Sequence, residues 1–204
     1  SITVQVRASS DKNYSGFVHG TQKLTITPVA IELKAKSDSK TYDGSPLTRD
    51  EYEITSGKFV GDEGLATVTV VGSQTVVGES DNIITGHTLK ANTKAENYTI
   101  TYAKGTLTIT KAEKAIVKIT GKTATLPYTG AEQSVTGYEI SKPDDTITVA
   151  PNEGLVAEAK GTDVREEPYP MGLTAEDFTA SSPNYETIEI IVEDGWLKIS
   201  PFET

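Results

Sequence analysis

Two histidines, His19 and His87, are the chain's only imidazoles, and there is no cysteine. A transition-metal site needs three or four converging ligands. Two isolated histidines do not supply that set, so surface positions are expected for both, and no metal or cofactor is expected. Carboxylates cluster at 61–64 (GDEG), 143–145 (PDD) and 165–167 (REE). Paired carboxylates can hydrolyse glycosides or hold calcium through oxygen. The spacing is not that of an EF-hand, however, and each cluster sits in a turn-like stretch where acids are solvated. No serine stands in G-x-S-x-G, and no glycine run has a phosphate-cradling pattern. Lysine and asparagine are present for a Lys–Asn isopeptide bond, but no spacing singles out a pair. No catalytic centre assembles from these residues, and the chain reads as a non-enzyme.

Aromatic residues are the other candidates for a site. Tyr14, Tyr98 and Tyr185 each follow an asparagine. Exposed rings can serve as sugar platforms, yet a residue recurring at one place in a repeat serves the core or a corner hydrogen bond more often. These three are therefore expected to be structural. Tyr169 and Phe178, with Arg165 nearby, are the better candidates for an exposed glycan contact. Trp196, the single tryptophan, is expected to pack or to touch a domain edge. Asn13 and Asn97 stand in glycosylation sequons but Asn184 does not. The asparagine is accordingly assigned to satisfying backbone groups at a turn.

The elements that would hold these residues are repeated. Asn13, Asn97 and Asn184 lie 84 and 87 residues apart, and Tyr42/Gly44 recur 86 residues later as Tyr128/Gly130. Two independent landmarks with one period indicate tandem domains. The boundaries are 1–28, the closing hairpin of a preceding repeat; 29–112, a whole repeat; and 113–204, a divergent one. The joins near Pro28 and Lys111 are short and not Gly/Ser-rich, so stiff linkage is expected. An isolated hairpin is marginal in water, which predicts that 1–28 docks on 29–112.

Within 29–112 the residues Val29, Ile31, Leu33 and Ala35 alternate with Ala30, Glu32, Lys34 and Lys36, the period of a half-buried strand. Asp43-Gly44 marks a turn. Residues 65–72 (LATVTVVG) are the most apolar run and predict a central strand. The stretch NYTITYAKGTLTIT (97–110) reads as an antiparallel closing hairpin turning at Lys104-Gly105. Six or seven short strands in about 85 residues predict an all-β chain of tandem immunoglobulin-like sandwiches. The alternative is a β-grasp-like repeat with one short helix, placed at SPLTRDEYE (45–53) or GLTAEDFTA (172–180) with Thr48 or Thr174 as cap.

The net charge of −10 argues against nucleic-acid binding, which uses clustered lysine and arginine. No stretch reaches 18 consecutive apolar residues, so no membrane insertion is expected. Any export signal or anchor is expected beyond these 204 residues.

KTYDGSPLT (40–48), VTVVGSQTVVGESDNII (68–84) and NYTITYAKGTLTIT together resemble the MBG-type (YGX-type) repeats, which occur in tandem in large adhesin-like surface proteins, chiefly of Gram-positive bacteria. The resemblance covers 29–112. The third repeat keeps PYTG, NY and WLKIS but departs from the pattern through 143–172. It implies an extracellular, cell-surface, non-enzymatic spacer or adhesion role, and it brings no catalytic residues. The expected function is a rod-like stalk segment whose partners are neighbouring repeats and a host or cell-wall glycan or protein. The alternative is a lectin-like module with its site at Tyr169, Arg165 and Phe178.

Overall fold

A computed structural model describes residues 2–6, 18–22 and 25–202, the first two segments by backbone alone. Its strands, in chain order, begin with β1 (Ile2–Val6), β2 (Val18–Gln22), β3 (Val29–Ala35), β4 (Asp38–Thr41), β5 (Tyr52–Ser56), β6 (Leu65–Val71), β7 (Gly78–Leu89), β8 (Tyr98–Ala103) and β9 (Gly105–Thr110). The second half continues with β10 (Ala112–Gly121), β11 (Thr123–Pro127), β12 (Gln133–Thr136), β13 (Tyr138–Ser141), β14 (Thr148–Pro151), β15 (Glu158–Gly161), β16 (Tyr169–Pro170), β17 (Phe178–Ser181), β18 (Tyr185–Glu193) and β19 (Trp196–Ser200). Threonine, valine and isoleucine fill them, as β-branched side chains suit a pleated, half-buried surface. The expected all-β class holds. Among the described residues no α-helix forms, only the three-residue 3-10 turns Ala95–Asn97 and Ala175–Asp177. The second lies in the predicted GLTAEDFTA stretch and carries the expected Thr174 cap, closed by Asp177. SPLTRDEYE holds no helical turn, and β5 starts within it.

The chain divides into two compact units. The first comprises the described residues up to Ala35, with Glu51–Val70 and Ile83–Lys104. Its three-stranded sheet has the order β5-β3-β8. Ile31, Leu33 and Ala35 point inward from β3 as the alternation predicted, meeting Ile84 and Tyr98 in one core, with Phe59, Leu65, Val68 and Val70 packed against it. β1 and β2 pair antiparallel, from Ile2 with Gln22 to Val6 with Val18. The strand pair expected from Asn13 onward lies largely outside the described residues, as does Tyr14.

The second unit holds Lys36–Asp50, Val71–Asn82 and the chain from Gly105 onward. One core gathers Tyr42, Leu47, Leu107 and Ile109, with Val77, Ala112 and Tyr185 against them. A larger one surrounds Val117, Ile119, Ile147, Leu173, Phe178, Leu197 and Ile199. Here the sheets run β13-β10-β18 and β11-β19-β16, with the pairs β12–β15 and β14–β17 beside them.

Three expectations are corrected. First, β8 and β9 are not a hairpin. β8 runs parallel to β3 through six register pairs, while β9 runs parallel to β4 and antiparallel to β7. Tight two-residue hairpin turns need φ > 0, and neither Lys104 nor Gly105 has it. The backbone stays extended and passes from one sheet to the next. β18 and β19 do the same, pairing parallel with β10 and β11 respectively. Second, the sheets are therefore mixed rather than purely antiparallel. Third, β6 is an edge strand rather than a central one, with Val71 53% exposed. An apolar run cannot by itself distinguish a buried strand from a half-wet one.

β3∥β8 with β5 antiparallel on the other side of β3, and β10∥β18 with β13 antiparallel on the other side of β10, are the same local plan. Where the earlier copy runs β7 unbroken over 12 residues, the later copy has β16 and β17, separated by a loop carrying the 3-10 turn.

Candidate functional site

The recurring Asn-Tyr pair lies at the start of β8 and of β18, and in both copies its tyrosine meets an acid. The Tyr98 hydroxyl donates to Glu63 and accepts the Val60 N–H at 3.0 Å. The Tyr185 hydroxyl donates to Asp144 Oδ2 at 2.5 Å. Each acid belongs to a cluster expected only to be solvated, GDEG or PDD. No local sequence signal marks this role, because the acids lie 35 and 41 residues upstream of the tyrosines they meet. Hydrogen bonding to the Glu63 carboxylate raises the Tyr98 hydroxyl pKa. Burial, followed by the bond to Asp144, pushes Tyr185 up to about 12. Burial also pushes Asp144 up, but hydrogen bonds from Thr146, Tyr185 and Tyr42 outweigh it, leaving the carboxyl below its ordinary range. Both tyrosines therefore stay protonated donors at neutral pH, and Asp144 stays an acceptor.

The second pair carries a further contact. Tyr42, in the turn after β4, stands edge-on to Tyr185 with ring centroids 5.5 Å apart, and its hydroxyl reaches Asp144. Asn184, fully buried, accepts the Val77 N–H at 2.9 Å. Its backbone carbonyl takes the Ala112 N–H at 3.0 Å. The asparagine does satisfy a backbone group, as expected, but a distant one, 107 residues upstream in the chain. The Tyr42 turn is stiff. Lys40 Nζ donates to Asp43 Oδ1 at 2.6 Å and to the Ser45 carbonyl at 2.8 Å, and Gly44 takes the left-handed φ of 79° that Asp-Gly predicted. The lysine contact holds the Asp43 carboxyl well below the usual range.

Tyr169 and Arg165 are brought together. The guanidinium lies 3.8 Å from the ring centroid, and its nitrogens donate to the Glu167 and Pro168 carbonyls at 2.5 Å each. The Tyr169 hydroxyl accepts the Asp163 N–H and donates to the Asp163 carbonyl. Gly161 presses on the ring edge so closely that a Cβ there would come within 2.2 Å of it. The stacked arginine, the hydrogen-bonded hydroxyl and the crowded ring edge tie the 161–170 loop together. Phe178 corrects its expectation outright. It is 4% exposed, with its ring 5.0 Å from Tyr138 in the core, because β17 pairs with β14 and turns that side chain inward. Trp196 is 36% exposed at the start of β19. His87 makes a short contact with the Tyr102 hydroxyl on the surface. His19 has no described side chain.

Among the described residues no group of three or more metal-ligating side chains converges, and no helix is long and apolar enough to cross a membrane. Asn82, the other fully buried polar residue, spends its Nδ2 on the Lys36 and Arg49 carbonyls. No protein-family model and no curated protein sequence matches the chain.

Proposed function

We propose that the chain is a non-enzymatic stalk segment of a bacterial surface, adhesin-like protein, working by transmitting tension rather than by chemistry. The observation that supports this most is the strand pairing within 112–200. The first two strands run parallel to the last two: β10 to β18 through eight register pairs and β11 to β19 through five. Tension entering at the start of β10 and leaving at the end of β19 pulls parallel partners along their length. Their hydrogen bonds are then loaded together instead of being peeled one after another. Ion pairs Lys118–Glu193 at 2.7 Å and Lys114–Glu189 lie across the same two strands. They are exposed and add little stability in water, so resistance comes from the ladder and from the Val117, Ile119, Leu197 and Ile199 core beneath it.

The MBG-type resemblance supports this reading, since such repeats occur chiefly in surface proteins of Gram-positive bacteria, and the contacts that tie up Tyr169 weigh against the lectin alternative. A glycan-array screen of the chain beside Tyr169→Ala tests the reading. The stalk role expects both proteins to stay at background. Glycan binding that disappears in Tyr169→Ala overturns it in favour of the lectin.

A further inference from the structure

The site that holds Tyr42 has a counterpart in the first unit. At Tyr185 the receiving surface is a tyrosine–carboxylate pair, a buried asparagine and the strand β10, registered Ala112 to Tyr185. At Tyr98 the same parts recur: Glu63 on the hydroxyl, Asn97 preceding, and β3 registered Val29 to Tyr98. There they border an open groove of about 670 Å³ lined by Ile26, Val29, Val60, Glu63, Asn97 and Tyr98, among others. None of the described residues places a tyrosine turn in it. Ile26 is 87% and Val60 64% exposed, leaving an apolar rim beside a carboxylate. Asn97 is exposed, whereas its counterpart Asn184 is fully buried under the preceding repeat.

The inserting part is also duplicated. Tyr42 donates its backbone N–H to the Thr110 carbonyl at 2.8 Å, and Tyr128 does the same to Ser200 at 2.9 Å. Gly44 and Gly130, two residues on, share the left-handed conformation at φ 79° and 77°. Tyr42 is 7% exposed because its ring is inserted, and Tyr128 is 39% exposed. The chain thus carries a filled joint, an open groove with a similar tyrosine–carboxylate pair, and a second tyrosine turn that enters no groove among the described residues.

We propose that the groove at Tyr98 and Glu63 receives the Tyr128 turn of a second copy of this chain, in the manner that Tyr42 meets Tyr185 and Asp144. The tyrosine ring lies on the apolar rim against Tyr98, and its hydroxyl donates to the Glu63 carboxylate. Such a contact joins unlike surfaces, so it does not close on itself and adds copies in series. It is a single-turn contact and lacks the advantage of linkage on one chain, so the association is weak and shows only at high concentration. The inference concerns this surface alone and does not rest on the stalk role.

Sedimentation velocity from micromolar to millimolar concentration tests it. Val60→Arg blocks the groove and Tyr128→Ala removes the inserting ring. Both positions are exposed, so each variant is expected to melt as the parent does, which circular dichroism checks. The parent is expected to associate beyond the dimer, each variant alone to stay monomeric, and an equimolar mixture of the two to form a one-to-one dimer and nothing larger. A parent that remains monomeric throughout, association that survives in either variant, or a mixture that stays monomeric overturns the proposal.

Discussion

Tyr185 gives its hydroxyl to Asp144 inside a half-buried contact, so removing that oxygen leaves a carboxylate short of a donor. Tyr185→Phe is expected to cost about 1–2 kcal/mol at pH 7, the usual consequence of orphaning a partly buried acceptor. The pH dependence has a definite sign. The hydroxyl's pKa is raised from 10.0 to about 12 by folding, so its contribution is full below pH 10 and fades as pH climbs towards 12. Urea denaturation of parent and variant should therefore show a gap at pH 7 that narrows at pH 11. A gap that is constant across that window would show that folding does not raise the hydroxyl's pKa. The sequence made this tyrosine legible as structural, because it recurs after asparagine at a fixed period. The acids were not legible as its partners. Nothing local distinguishes Glu63 or Asp144 from a solvated turn carboxylate, since their partners lie 35 and 41 residues away. Phe178 was misread for a related reason: the loop around it diverges from the repeat, and only its pairing with β14 shows which way it faces.

At the scale of elements, alternation identified the inward residues of β3 and the strand character of β8, β9, β18 and β19. What it could not supply was partners. NYTITYAKGTLTIT has every local mark of a hairpin, yet an extended Lys104-Gly105 sends its halves to different sheets. The parallel partners β3 and β10 precede β8 and β18 by more than 60 residues, a pairing that no short window reports. The later copy turns the same corner by close approach. A Cβ on Gly121, at the end of β10, would lie 2.2 Å from the Gly195 nitrogen, between β18 and β19. Gly121→Ala must push those backbones apart and is expected to destabilise the chain by about 1–3 kcal/mol. Chemical denaturation measures this, and a cost below about 0.5 kcal/mol, typical of an open surface site, would show that the two strands are free to separate.

For the whole molecule, the repeat period was the most informative reading of the sequence. It matched Tyr42 to Tyr128 and Asn97 to Asn184; in the structure the first two open similar turns, and the second two stand immediately before β8 and β18. The same local strand plan is built twice, β5-β3-β8 and β13-β10-β18. The absence of native cysteine allows attachment points to be introduced at chosen sites for single-molecule pulling. With cysteines at Glu113 and Phe202, both exposed, force runs along the paired strands β10∥β18 and β11∥β19. With cysteines at Glu113 and Glu186, it opens the β10–β18 ladder from one end. The stalk account predicts a rupture force several-fold higher in the first geometry than in the second. Equal forces, or a weaker first geometry, would contradict it.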